Sequence, residues 1–192
     1  MSISDSNKRI VSVATQSFAT ASTIKAYWDD NRQSSIEILS CPGSPHAGVT
    51  SFSTLGLSDH PIPNGRKQLP LRVELVGACG SQFDEFANIL ASAAFCIINS
   101  NWLCHPGAIF PGVVSKHRPD SPMKHLLFVP PFLWDPPLKK LKLADKTVAW
   151  LMAIPISDPE YQHAMDQGRD TLEAELEHQN IDFYNLDRPS IC

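Results

Sequence analysis

The sequence lacks the features that mark membrane proteins, secreted proteins and nucleic-acid-binding proteins. No run of about 18 apolar residues occurs, so no helix is expected to cross a membrane. The first nine residues are polar, so we expect no signal peptide and a cytoplasmic location. Basic residues are not in excess, and the formal charge of −4 argues against direct binding to nucleic acid, which needs a basic face.

The short motifs that mark cofactor sites and common active sites are also missing. No Gly-x-Gly-x-x-Gly, phosphate-binding loop or nucleophile elbow is found. The number of cysteines is odd and their spacing is scattered, which favours reduced thiols over a disulfide framework. They are Cys41, Cys79, Cys96, Cys104 and Cys192. Cys96 lies in an apolar helical stretch and is interpreted as a small core residue.

Three local groups could in principle support chemistry, and each has a simpler structural interpretation. Cys104-His105 suggests a thiol nucleophile and base, but neighbours in sequence rarely point at each other and no third group is evident. Cys41 and His46, together with Cys104 and His105, could supply four zinc ligands. The closely spaced cysteine pairs that are typical of zinc sites are missing, however. Asp29-Asp30 is more typical of a turn. We therefore predict no catalytic residue, no metal site and no cofactor.

Alternating apolar residues predict a series of strands, separated by segments rich in proline and glycine. The clearest uncharged strand is Thr147–Ile154, which we expect to be central and covered on both faces. In the strand that starts at Leu71, Arg72 and Glu74 are expected to pair on an exposed face. The predicted strands cover residues 23–29, 36–38, 49–57, 71–75, 125–129 and 147–154, with a loop over 57–70.

Helices are predicted from apolar periodicity and capping residues. A loosely packed helix is expected within residues 1–20, and a stronger one after an N-cap at Ser81, ending at Asn99 to Asn101. Capping boxes at Ser157–Glu160 and Asp170–Glu173 predict two more helices. Since strands are grouped rather than alternating with helices, we predict an α+β domain with a mixed, largely antiparallel sheet packed by helices.

The charge of the chain is concentrated near its end. Nine acidic residues and a single basic residue, Arg169, lie between Asp158 and Asp187, which gives this segment a formal charge of −8. Such a run is usually a solvated helix face. The alternative is an acidic patch that attracts a basic partner, with Glu173, Glu175 and Glu177 as candidate contacts.

A proline-rich bend follows the predicted strand 125–129. Its four prolines, within Pro130–Pro137, prevent a continuous strand and direct the chain to the surface. Trp134 and Asp135 therefore combine an aromatic ring with a charge at an exposed bend, as binding hot spots often do. Packing of Trp134 in the core is the alternative, because tryptophan is highly buried on average. The last segment, 181–186, is expected to form an edge strand or a pinned tail.

Segments along nearly the whole chain resemble the suppressor-of-fused family, in the same order. They are Lys25–Asp30, Ser34–Leu39, Ser53–Ser58, Leu71–Gly77, Ile97–Ser100, Met123–Leu126, Val129–Trp134, Trp150–Ser157, and Ile181-Asp182 with Asp187-Arg188. The resemblance is closest to small bacterial members with one domain, so it implies a single domain over residues 1–192. The two-domain clamp of animal members is not expected, since the chain ends at Cys192.

The resemblance also implies a function that depends on binding. Similar bacterial members are cytoplasmic immunity proteins, or antitoxins, which neutralise the C-terminal nuclease domain of a secreted polymorphic toxin with an LXG head. Animal members sequester a transcription factor, partly through an acidic residue near the position that resembles Asp135. The leading hypothesis is thus an immunity protein that covers a nuclease toxin. The alternatives are a regulatory adaptor that binds an extended peptide on a sheet edge and a thiol enzyme using Cys104.

Overall fold

The computed structural model describes residues 4–64, 67–68 and 71–192. The helices in these ranges are α1 (Asp5–Phe18), α2 (Phe86–Ser100), α3 (Asp158–Gln167) and α4 (Arg169–His178). The strands are β1 (Thr23–Trp28), β2 (Ser35–Pro42), β3 (Val49–Leu55), β4 (Pro63–Asn64), β5 (Lys67–Gln68), β6 (Leu71–Gly80), β7 (Ile109–Phe110), β8 (Met123–Val129), β9 (Leu141–Lys142) and β10 (Thr147–Ser157). Part of the loop predicted over 57–70, positions 65, 66, 69 and 70, lies outside the described residues.

One mixed sheet organises the described elements and confirms the predicted fold class. Its strand order is β1-β2-β3-β6-β10-β8-β7, and β9 pairs with the start of β10. Every pairing is antiparallel except that of β10 with β6, which runs parallel from Thr147 opposite Leu71 to Met152 opposite Val76. β4 and β5 form a separate two-stranded ribbon.

Helices cover both faces of this sheet, as the uncharged sequence of β10 predicted. Leu151 and Ala153 of β10 face the core that α2 covers. Trp150, Met152 and Ile154 face the opposite core, which contains buried residues of α1, α3 and α4. α1 is more firmly packed than the sequence indicated, because Ile10, Ala14 and Phe18 are all buried in that second core.

The start of α2 differs from the prediction. Ser81 is not its N-cap: the helix begins at Phe86, and Ser81 belongs to a connection bound to the adjoining strands. Its backbone N–H donates to the Gly48 carbonyl, and its hydroxyl lies 2.8 Å from the hydroxyl of Thr50. Phe86 instead fixes the helix against β6, where a Cβ on Gly77 would lie only 2.7 Å from its ring.

The two predicted capping boxes have different outcomes. The box at Ser157 and Glu160 is confirmed, since each side chain bonds the backbone N–H of the other residue. The box at Asp170 is wrong, because α4 begins one residue earlier, at Arg169, directly after Gly168. Gly168 takes φ +99°, a conformation open to glycine, so this one residue is both the C-cap of α3 and the N-cap of α4, and no side chain caps α4.

The segment after α4 is pinned to the sheet and forms no strand in the part of the chain described. The carbonyl of Tyr184 accepts a hydrogen bond from the backbone N–H of Gly80, at the end of β6. Leu186 is fully buried, and its carbonyl accepts from the hydroxyl of Ser121. Of the two outcomes predicted for residues 181–186, the pinned tail is therefore the observed one.

Glu74 does not lie on an exposed face with Arg72, as the sequence pattern suggested, because the end of β3 and the segment that follows it, residues 54–58, cover this side chain. Its side chain is fully buried. Its carboxylate accepts hydrogen bonds from the hydroxyl of Thr54 and from the backbone N–H groups of Gly56 and Ser58. Burial nevertheless raises the pKa of Glu74 from 4.5 to about 7, because desolvation penalises the charged form more than these bonds favour it.

This shift predicts a pH-dependent stability. A carboxyl group with a raised pKa binds its proton more tightly in the folded chain than in the unfolded one. The free energy of unfolding should therefore fall by a few kcal/mol as the pH rises from about 4.5 to about 7. Glu74→Gln should remove this decrease, which urea unfolding at several pH values would measure. An equally steep decrease in the variant would assign the effect to another group.

Candidate partner-binding surface

The proline-rich bend after β8 exposes a different aromatic residue from the one the sequence suggested. Trp134 is 5% exposed; its indole N–H donates to the Ser51 hydroxyl at 2.8 Å, and its ring lies 5.0 Å from that of Phe18. Its side chain therefore belongs to the core, one of the two roles considered for it. Phe132 is 59% exposed instead, and Asp135 is exposed beside the bend.

The three candidate glutamates of α4 do not share one face. Glu173 and Glu177, four residues apart, lie on the same side of the helix and line a groove. Glu175 points elsewhere, with its carboxylate 3.2 Å from the imidazole Nε2 of His163 in α3. The inner edge predicted for α4 is confirmed, since Leu172 and Leu176 are buried against the second core.

The groove lies between β8, β10, the bend, α4 and the tail, and its volume is about 360 Å³. Most of its lining is apolar, whereas its charged groups are Glu173 and Glu177. The apolar lining residues are Leu127, Val129, Pro130, Phe132, Ile154, Leu176, Ile181 and Phe183. It thus joins the proline-rich bend and the acidic segment, two features that the sequence showed separately.

Both carboxylates of the groove are available to a partner. Within the described residues, neither Glu173 nor Glu177 forms an ion pair. Partial burial, and to a lesser extent the nearby charge of Asp170, raises the pKa of Glu173. A cationic group placed beside it would lower that pKa again, so the groove is suited to a basic side chain flanked by apolar ones.

Phe132 forms the outer wall of the groove. Its ring packs edge-to-face on Phe183 of the tail, with 5.7 Å between the centroids. An exposed aromatic ring beside an apolar pocket matches the composition of interface hot spots. The sequence offered a signal for this residue, since it lies in the same bend as Trp134, but alternation could not show which of the two rings points outward.

A second surface lies at the opposite end of the sheet. β1 is its edge strand; five of its six residues are exposed, and Trp28 is 57% exposed. Beside it, residues of β1, α2 and the 111–117 segment enclose a cavity of about 370 Å³. The turn predicted at Asp29 is confirmed here, because its carboxylate accepts from the backbone N–H groups of Gln33 and Ser34.

The geometry around Cys104 does not favour thiol catalysis. The side chain is buried, and burial strongly raises the pKa of its thiol, which keeps it protonated. His105 is exposed, and its Nδ1 bonds the carbonyl of Pro106 at 2.8 Å. Although both residues are described, no hydrogen bond joins them.

Among the described residues, no helix is both long and apolar enough to span a bilayer.

The fold and the comparison with known proteins together identify the family of this domain. Its fold is that of single α+β domains built on a mixed sheet, and the family model for suppressor of fused protein (SUFU) matches residues 32–189. The chain belongs to the suppressor of fused family. It is 46% identical over 191 residues to the immunity protein YqcF of Bacillus subtilis (strain 168), covering 100% of both chains.

Solved structures show the same fold at much lower sequence identity. A putative SUFU homologue from Neisseria gonorrhoeae FA 1090 is similar with a TM-score of 0.72 and 16% identity, over 97% of this chain and 96% of that one. A chain of the Sufu–Fu complex is similar with a TM-score of 0.62 and 16% identity, over 88% of this chain and 83% of that one.

Proposed function

We propose that this protein is an immunity protein, which binds a toxin in the cytoplasm of the cell that makes both and blocks it. The observation that carries the proposal is the 46% identity to an immunity protein over the complete length of both chains. The toxin is proposed to be of the LXG type with a C-terminal nuclease domain, as the family resemblance implies. Inhibition is by occlusion and transforms no substrate.

The groove supplies a physical reason for such binding. A nuclease must hold phosphates, so its cleft carries Lys and Arg side chains. The rim formed by Glu173 and Glu177 is complementary to such a cleft, and the apolar floor can bury the stems of long basic side chains. Complementary charge also speeds association, which an inhibitor of a lethal enzyme needs.

The proposal predicts that an LXG-type toxin is encoded beside the gene for this protein, and the direct test uses the C-terminal domain of that toxin. Co-expression of that domain alone should stop growth and degrade nucleic acid, whereas adding this protein should restore both growth and intact nucleic acid. The purified pair should form a stable complex in which nuclease activity falls in proportion to the inhibitor added. A mixture that shows neither a complex nor inhibition would count against the proposal.

Charge reversal at the groove should slow association. Glu173→Lys with Glu177→Lys should lower the association rate constant at low salt about tenfold and weaken its dependence on ionic strength. Stopped-flow mixing with the toxin domain would measure both. The matched control is Asp84→Lys with Asp120→Lys, at exposed positions outside the groove. Each double variant takes the formal charge from −4 to 0, so equal slowing in both would point to net charge alone.

Glu175→Lys gives a second comparison within the same helix. Because Glu175 faces His163 rather than the groove, its reversal should slow association less than the Glu173 and Glu177 pair. Asp135, exposed beside the bend but outside the groove lining, remains a proposed contact at the edge of the interface.

The second candidate function is a regulatory adaptor, and the exposed edge strand β1 favours it. An extended peptide could add to this edge through backbone hydrogen bonds, with Trp28 and Ile24 offering apolar contacts. Affinity purification from the native cell distinguishes the two. Recovery of a transcription regulator in place of a toxin, lost on substitution of β1 but not of the groove, would establish the adaptor.

A further inference from the structure

Three side chains of types that bind transition metals meet where α3, α4 and the end of the chain come together. They are His163, Glu175 and Cys192, and one ligand atom from each lies within 4.8 Å of the other two. They are 12 and 17 positions apart in the sequence, so no short spacing motif marks them. This cluster was missed by sequence reasoning for that reason.

The geometry between His163 and Glu175 leaves room for a shared cation. Nε2 of His163 is buried without a hydrogen-bond partner, although it lies 3.2 Å from Oε2 of Glu175. The two atoms therefore face each other closely without forming an aligned hydrogen bond. Two ligands of a tetrahedral zinc ion, each about 2.0–2.1 Å from the metal, lie about 3.3 Å apart. The observed separation matches that distance.

The third ligand is positioned by contacts of its own. The backbone N–H of Ile191 donates to the Glu160 carboxylate at 3.1 Å, and that of Cys192 donates to the hydroxyl of Ser190 at 3.3 Å. The Cys192 side chain is exposed and can rotate. Its sulfur needs to approach the other two ligand atoms by about 1 Å, since zinc–sulfur bonds are about 2.3 Å long.

The charges around the cluster favour a cation. Partial burial, together with the negative charges of Glu160 and Glu175, raises the pKa of the Cys192 thiol. The positive charge of Arg188, which pairs with Glu160, partly opposes this rise. A divalent ion at this point would neutralise that negative potential and favour the thiolate, releasing one proton as it binds. A nitrogen, an oxygen and a sulfur ligand together suit zinc or cobalt, whereas magnesium and calcium prefer oxygen alone.

We propose that His163, Glu175 and Cys192 form a surface site for a divalent transition metal of the zinc type, with water as the fourth ligand. The ion ties the end of the chain to the α3–α4 pair. The site stands apart from the groove, because Glu175 faces away from Glu173 and Glu177, and it does not depend on the proposed immunity function.

Titration of the reduced, full-length protein with Co²⁺ tests the site. The expected result is one ion per chain, with a thiolate-to-cobalt charge-transfer band and tetrahedral d–d bands that Zn²⁺ abolishes by displacement. One proton should be released for each ion bound, and Zn²⁺ should raise the thermal unfolding temperature in a concentration-dependent way. Cys192→Ser should abolish the charge-transfer band.

Variants of the other two ligands separate a built site from weak surface binding. His163→Gln and Glu175→Gln should each weaken Co²⁺ binding about tenfold or more, since even groups that only orient a ligand cost 10–100-fold. Glu177→Gln, on the same helix, and Cys96→Ser, at a half-buried thiol in α2, are the controls and should bind as the parent does. Circular dichroism confirms that each variant is folded.

Two results would overturn the site. One is a cobalt spectrum without a thiolate band, or one that Cys192→Ser leaves unchanged. The other is equal affinity in the ligand variants and their controls, which would indicate an adventitious ion only. Neither result bears on toxin neutralisation, which is measured separately, so the two proposals succeed or fail independently.

Discussion

Phe132→Ala should weaken binding of the toxin domain about 30-fold or more, which corresponds to a loss of about 2 kcal/mol. Truncation removes the exposed ring that walls the groove and packs on Phe183. A partner side chain seated in the groove would then lose apolar contact and become accessible to water. The effect should fall mainly on the dissociation rate, because the charges that steer association remain in place.

Trp28→Ala is the matched control for this substitution. Trp28 and Phe132 are 57% and 59% exposed, so each variant removes a comparable amount of accessible aromatic surface, but at opposite ends of the sheet. Surface plasmon resonance with the immobilised toxin domain should show an affinity for Trp28→Ala within about threefold of the parent. The reverse pattern, with Trp28 essential and Phe132 dispensable, would move the interface to the β1 edge.

Arg188→Met should lower the free energy of unfolding by about 3–5 kcal/mol, because it leaves a buried carboxylate without its counter-ion. Arg188 and Glu160 are 3% and 0% exposed, and the guanidinium donates to both carboxylate oxygens, at 2.6 and 2.8 Å. Burial alone would raise the pKa of Glu160, but bonds from Arg188 and the Ser157 backbone outweigh it and lower that pKa.

A second substitution shows whether an uncompensated charge causes the loss. Arg188→Met combined with Glu160→Leu should be more stable than Arg188→Met alone, even though it also removes the capping box of α3. Arg169→Met, at an exposed position, is the control and should change stability by less than about 0.5 kcal/mol. Urea unfolding followed by circular dichroism measures all three. A cost for Arg188→Met close to that of the control would contradict this account.

Periodicity and capping predicted the fold well where the local signal agrees with the tertiary structure. The order of the elements predicts the α+β class, and the uncharged sequence of β10 predicts its central position. The capping box at Ser157 depends only on residues within the same helix start. The failures arise where a distant contact overrides a local preference. Ser81 has the residue type of a helix cap but is held by Gly48 and Thr50. Glu74 alternates as an outer residue, but residues 54–58 cover it and bond its carboxylate.

The candidate site could be predicted only in part, for a related reason. The bend and the acidic segment are visible in the sequence, yet their meeting in one groove depends on β8, β10 and the tail. Helical spacing could have separated Glu175 from Glu173 and Glu177, because residues two apart on a helix do not share a face. Which aromatic ring of the bend turns inward depends on Phe18 and Ser51, and no local pattern contains that information.

The position of β10 has a consequence for synthesis of the chain. It is the last strand to leave the ribosome, yet it lies between β6 and β8, joining two halves of the sheet that are otherwise separate. Until residue 157 has emerged, the apolar edges of both halves stay open to other chains. A nascent or truncated copy that lacks β10 should therefore be a client for chaperones, and the complete sheet forms only after residue 157 has emerged.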